Sequence, residues 1–170
     1  MHNFKMSPFL GEEDKLGKDI LNQKDEQGKK QQLQEEKKPF PLTKRILMVD
    51  DDPDVTFTFK RAFEEANRIG GSKISFQVNT YNDPLTGLSE FKTNYYDLIL
   101  IDINMPKING FEFCIKALEL DPNPRVCYMS SGLINQEALR EQYPSLSIGC
   151  FIEKPVTMEN LIRRVKSELE

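Results

Sequence analysis

The sequence predicts an α/β protein built on a doubly wound parallel sheet. The first observation is that short apolar runs and helix-period stretches alternate five times along the chain. The second is that Leu98-Ile99-Leu100-Ile101 is continuously apolar, as expected of a strand covered on both faces. The third is that polar residues follow strand after strand, at Asp50-Asp51-Asp52, Asp102, Ser130-Ser131 and Lys154. In open α/β sheets, chemistry collects just beyond the carboxyl ends of the strands.

Taken in order, residues 45–49 (RILMV) form the first strand, ending in Asp50, Asp51 and Asp52. Pro53 suits the first turn of a helix. Val55, Phe59, Ala62, Phe63 and Ala66 continue that helix at helical spacing until Gly70-Gly71 stops it. Residues 74–80 alternate Ile74, Phe76 and Val78 as a second strand, and Asn82-Asp83-Pro84 opens a short helix carrying Leu85, Leu88 and Phe91. The strand at 98–101 follows, with Asp102 directly after it. Met105-Pro106 cannot continue a helix or a central strand, and Asn109-Gly110 signals a turn. Phe111, Cys114, Ile115 and Leu118 form the next helical stripe, stopped by Asp121-Pro122. A fourth strand spans 125–129, a helix lies around 136–142, and a fifth strand spans 148–152 before Glu153-Lys154-Pro155. Met158, Leu161, Ile162, Val165 and Leu169 share one face of the last helix. Right-handed crossovers between five such units give the flavodoxin-like plan, strand order 2-1-3-4-5. In that order the ends of strands 1, 3, 4 and 5 converge on one crevice.

Residues 1–43 stand apart. Residues 1–40 hold eight Lys and eight Asp or Glu, with few sizeable apolar groups between them. Such a composition cannot bury enough surface to offset the entropy of ordering, so a disordered, solubilising tail is expected. Residues 44–170 make one domain. A hydrophobic content of 38% and a charged content of 29% describe a soluble protein. The net charge of -4 gives no reason to expect nucleic acid, which selects a basic face. No apolar stretch approaches the roughly 20 residues of a membrane span, and no signal peptide is read at the amino terminus. The three cysteines, Cys114, Cys127 and Cys150, are scattered among apolar neighbours and read as reduced core thiols of a cytoplasmic protein. The single histidine, His2, lies in the tail, so histidine-based catalysis is not expected.

Converging Asp50, Asp51 and Asp102 crowds three carboxylates, which repel unless a cation offsets them. Oxygen donors of this kind suit magnesium, which keeps several waters in open sites. Asp102 could then attack phosphorus as a nucleophile, with Lys154 and the ion neutralising charge on the phosphoryl oxygens and Ser130 donating a hydrogen bond. Each residue also has a plainer reading. Asp102 alone reads equally well as a helix cap and Asp50 to Asp52 as an acidic helix start, while Ser130 reads as a turn hydroxyl, Lys154 as surface charge and Phe151 as core. It is their joint occurrence at four strand ends that favours phosphoryl transfer.

VDDDPD after strand one, LILIDINMPKINGFEF around Asp102, YMSSG after strand four and FIEKPV after strand five resemble the receiver domain of two-component response regulators, over about residues 43–170. The resemblance implies a CheY-like fold in which Asp102 accepts a phosphoryl group. It implies Asp51 and Asp102 as direct magnesium ligands, Asp50 acting through water, and Asn104 contributing its backbone carbonyl. It makes Ser130 the switch hydroxyl, Lys154 the phosphate-pairing lysine, Phe151 the aromatic switch residue and Pro155 the family's cis-proline. The partners it implies are a sensor histidine kinase or histidine phosphotransfer protein upstream and a protein bound through the helix 4, strand 5 and helix 5 face downstream. A phosphorylation-dependent homodimer is a further expectation.

The chain departs from the family pattern at a longer connection around residues 68–72 and a short fourth helix broken by Tyr143-Pro144. Asn104 and Gly132 stand where the family tunes phosphoryl lifetime, and Gly132 offers no shielding side chain, which suggests moderate persistence. Because the sequence ends with the fifth helix, a stand-alone receiver without nucleic-acid contacts is expected. The alternative is a pseudo-receiver acting as a phosphorylation-independent interaction module. A haloacid-dehalogenase-type phosphatase fits less well, since its nucleophile follows the first strand and Asn104 occupies its acid/base position. A flavodoxin lacks support, as no phosphate-binding loop follows strand one.

Overall fold

The computed structural model describes residues 41–170; the tail expected over residues 1–43 lies almost wholly outside the described residues. Five parallel strands, β1 (Leu42–Val49), β2 (Ile74–Tyr81), β3 (Leu98–Asp102), β4 (Arg125–Ser130) and β5 (Cys150–Glu153), form one sheet in the order 2-1-3-4-5. The helices between them are α1 (Pro53–Ile69), α2 (Pro84–Ser89), α3 (Gly110–Leu120), α4 (Gln136–Gln142) and α5 (Met158–Leu169). This is the predicted flavodoxin-like, CheY-like architecture.

Two apolar layers sandwich the sheet. On one face, Ile46, Met48, Leu98 and Leu100 pack against Phe59 and Phe63 of α1 and Leu161, Val165 and Leu169 of α5. On the other, Leu47, Val49, Ile99 and Ile101 pack against Phe111, Phe113, Cys114 and Ala117 of α3. All five residues of β3 are buried, which explains its unbroken apolar run: each successive side chain meets a different covered face.

Local chemistry sets most of the boundaries. The Asp52 carboxylate caps α1 by accepting from the Asp54 amide at 2.9 Å, with Pro53 at the first position. The helix ends where Gly70 adopts φ 72°, a conformation costly for other residues. Asn109 and Glu112 form a reciprocal capping box at the start of α3. β1 begins three residues earlier than its apolar core suggests, because exposed Leu42 and Thr43 and half-buried Lys44 continue the pairing with Ile74, Ser75 and Phe76. β5 is shorter at its start than predicted, since Ile148 and Gly149 precede the ladder.

One expectation is overturned. Cys127 and Cys150 are not free thiols: they face each other in register on β4 and β5 and are joined by a disulfide. Scattered sequence positions concealed a pairing that only strand register creates. Cys114 remains a free, buried thiol.

Candidate phosphoryl-transfer site

The carboxyl ends of β1, β3, β4 and β5 bring the predicted polar residues to one end of the sheet. Asp50 follows β1 and is 1% exposed, while Asp102 ends β3 and is 4% exposed. Lys154, just past β5, reaches both: its Nζ lies 2.6 Å from Asp102 Oδ1 and 3.0 Å from Asp50 Oδ2. These partners are 52 and 104 residues away in sequence. The lysine arrives there because its backbone amide donates to the Ser130 carbonyl at 2.7 Å, continuing the β4–β5 ladder by one rung. The Lys154–Pro155 peptide is cis, as the family pattern implied.

The electrostatics are those of crowded, partly desolvated charge. Burial pushes the Asp50 carboxyl above its usual range, against the opposing pull of the Lys154 hydrogen bond. For Lys154 burial works against the ammonium, but the hydrogen bonds it donates to Asp102 and Asp50 prevail and hold its pKa above the ordinary value. Asp102 has its second oxygen occupied, as Oδ2 accepts from the Asn104 amide at 2.7 Å.

Asp51 and Asn104 are exposed at the mouth. Asp50, Asp51 and Asp102 together outnumber the one ammonium among them, and every donor is oxygen, a set that fits a hard divalent cation such as magnesium. Among the described residues, the group whose three donors lie within 4.8 Å of one another is instead Cys127, Cys150 and Glu168. Its two sulfurs are bonded to each other, so neither is available as a thiolate ligand. An open magnesium site with retained waters does not require its carboxylates to close so tightly.

Ser130, 4% exposed at the end of β4, has its hydroxyl engaged with its own loop: Oγ accepts from the Gly132 amide at 3.1 Å. Phe151 is half-buried and packs on Tyr128, ring centroids 5.6 Å apart. The stack continues from Tyr128 to Phe111 and from Phe111 to Tyr143, each at 4.7 Å.

Sequence reasoning missed three supporting residues. Asn82, read only as a helix opener, donates from Nδ2 to the Asp50 carbonyl at 2.8 Å and to Thr56 Oγ1 at 2.9 Å, tying the acidic turn to β2. Lys107, with φ 74°, pairs with Asp83. Gly110, read as a turn residue, instead opens α3 where a Cβ would lie 2.4 Å from the Asp102 carbonyl oxygen. It is required by close backbone approach. A glycine directly after an N-cap asparagine was the available signal for this last case.

Comparison with known proteins agrees with this geometry. A family model described as response regulator receiver domain matches residues 46–166. The chain is 30% identical over 127 residues to the transcriptional regulatory protein PrrA of Mycobacterium tuberculosis, covering 74% of this chain and 49% of PrrA. It is 26% identical over 125 residues to the response regulator ArlR of Staphylococcus aureus, covering 74% of this chain and 52% of ArlR. The chain thus spans about half the length of the curated relatives it matches. In fold it is similar to a CheY-like receiver domain protein from Methanospirillum hungatei JF-1, with TM-score 0.62, 24% identity and coverage of 75% of this chain and 94% of that one. With the fold, the strand-end residues and the family match in agreement, the chain belongs to the response regulator receiver domains of two-component systems.

Proposed function

We propose that this receiver accepts a phosphoryl group on Asp102 from a phosphohistidine donor and, once modified, controls a protein partner. The observation that carries the reading is the Lys154 ammonium held between Asp102 at 2.6 Å and Asp50 at 3.0 Å. A half-buried cation against the nucleophile is poised to meet the charge on an incoming phosphoryl group. We assign the receiver to residues 44–170 and the preceding segment to a solubilising tail.

An Asp102 carboxylate oxygen attacks phosphorus in line, an acyl phosphate forms, and the donor imidazole departs with the P–N electron pair. Lys154 shifts from bridging carboxylates to pairing with a phosphoryl oxygen. Ser130 leaves its Gly132 amide and donates to another oxygen. The vacated space lets Phe151 turn inward, so phosphorylation biases a two-state equilibrium. Asp51, Asp102 and the Asn104 carbonyl, with Asp50 through water, would hold magnesium, which supplies Lewis-acid neutralisation of phosphoryl charge when bound.

A Cβ at Gly132 would meet nothing within 4 Å, so that side of the site stays open to water and the acyl phosphate persists for a moderate time. A half-life of many hours would overturn this. The chemistry is self-phosphorylation and self-dephosphorylation only, and it goes with a cytoplasmic location beside a histidine kinase or phosphotransfer protein. Among the described residues no helix is long and apolar enough to cross a membrane. The output face is α4–β5–α5. None of the α4 residues is buried and Leu133 beside it is fully exposed, which supports a protein contact there. Signalling to a separate protein partner, without nucleic acid, is part of this proposal, as is a phosphorylation-dependent homodimer.

Intact-mass measurement after incubation with acetyl phosphate tests the reading. Wild type should gain one phosphoryl group, about 80 Da, only when magnesium is present, and Asp102→Asn should gain none. No gain in either folded protein would overturn it in favour of a phosphorylation-independent interaction module.

A further inference from the structure

We infer that Cys127 and Cys150 form a reversible redox site that locks the switch edge of the sheet; the regulatory consequence rests on the phosphoacceptor reading above. The two residues are directly opposed on β4 and β5, 23 positions apart in sequence, with Cα atoms 4.6 Å apart. Beyond them the same ladder pairs Tyr128 with Phe151, Met129 with Ile152 and Ser130 with Glu153, and then delivers Lys154. The cross-link therefore sits at the base of the two strands that carry Ser130, Phe151 and Lys154, within four residues of each.

Chemistry and placement both favour reversibility. In a reducing compartment, disulfides are rare, and those that form are mostly transient or redox-sensing. Cys127 is 0% exposed and Cys150 2%, so reagents reach them only through local opening. The fold supplies that route. β5 has four residues, pairs on one side only, and follows the irregular stretch 143–149 with exposed Gly149 at its end. An edge strand of this kind opens at a smaller free-energy cost than the central strands. Once β5 opens, the Cys150 thiolate attacks one sulfur of a low-molecular-weight disulfide such as oxidised glutathione and expels one thiolate. The Cys127 thiolate then attacks the Cys150 sulfur of the mixed disulfide and expels the second thiolate. Two protein thiols lose two protons and two electrons, and one glutathione disulfide becomes two thiols.

The bond closes while Ser130 Oγ is held by the Gly132 amide and Phe151 lies on Tyr128. Cross-linking the strands favours this arrangement over any in which β5 loosens and Ser130 moves toward Asp102. Oxidation thereby slows acceptance of the phosphoryl group.

The full chain is reduced with dithiothreitol, exposed to oxidised glutathione, and compared in both states by peptide mapping, amide hydrogen exchange and phosphorylation from acetyl phosphate. The expected results are a 127–150 cross-linked peptide that dithiothreitol removes, at least tenfold slower exchange at residues 150–154 in the oxidised state, and at least threefold slower phosphorylation. Cys150→Ala should lose the oxidant response. No cross-link, a cross-link that dithiothreitol does not reverse, or identical exchange and phosphorylation in the two states would overturn the proposal. If neither state accepts phosphate, the phosphoacceptor reading fails, while the peptide map and amide exchange still decide whether the bond forms reversibly and restrains β5.

Discussion

The centre of the sheet and its β5 edge are built from the same motif but to different standards of rigidity. β3 is paired on both sides, all five of its residues are buried, and the helix that follows begins with a full capping box. β5 is paired on one side, and the helix before it, α4, has seven residues and none buried. Free energy of local opening rises with buried apolar contact and falls with exposed backbone. The nucleophile candidate, Asp102, thus stands on a fully buried strand paired on both sides, while Phe151 and Lys154 stand on or just past an edge strand that the Cys127–Cys150 disulfide ties to β4. Only β4, which carries Ser130, lies between the strand of the proposed nucleophile and the strand of the proposed switch residue Phe151.

The largest expected effect breaks the comparison at its centre. Asp102→Asn should keep the fold and abolish phosphorylation, read by intact mass. Lys154→Met attacks the joint between the two regions. Removing one transition-state cation should lower the phosphorylation rate by a factor on the order of 100 or more. It also leaves two buried carboxylates without their cation, at a cost on the order of 3 kcal/mol near neutral pH. The pH dependence has a definite sign. Because the folded pKa of Lys154 is raised, its stabilisation is full below the unfolded lysine value of about 10.4 and is lost as pH rises through the folded value. Denaturant titrations from pH 8 upward should show wild type losing stability in that window more steeply than Lys154→Met.

Gly110→Ala tests whether the centre tolerates movement. The new Cβ would meet the Asp102 carbonyl, which is backbone and cannot rotate aside. A loss of about 1–3 kcal/mol is expected, with slower phosphorylation because Asp102 is displaced. An unchanged denaturation midpoint would show that α3 shifts freely. The smallest effect belongs to the edge. Leu100→Ala in β3, at a fully buried position, should cost about 2–5 kcal/mol. Leu139→Ala in α4, at a half-buried position, should cost on the order of 1 kcal/mol, since less apolar surface returns to water. Equal losses from the two would erase the distinction between centre and edge.

What was legible in the sequence was local or repetitive. Helical spacing in 55–66 and 158–169, the unbroken apolar run of β3, the glycine pair closing α1 and the proline following Asp52 each act through a few neighbouring residues, so they survive as patterns in the chain. Placing Asp50, Asp102, Ser130 and Lys154 at strand ends needed only the element order and the handedness of crossovers. Tertiary structure decided what depends on register and approach between distant segments. It brought Lys154 onto two carboxylates, used Asn82 to brace the acidic turn, pressed α3 so close to β3 that only glycine fits at position 110, and set Cys127 opposite Cys150. Apart from the Gly110 approach to Asp102, which spans a single loop, each of these is a contact between residues far apart in sequence. Its existence turns on sheet pairing resolved to a single residue, because a slip of one position would send every side chain to the opposite face.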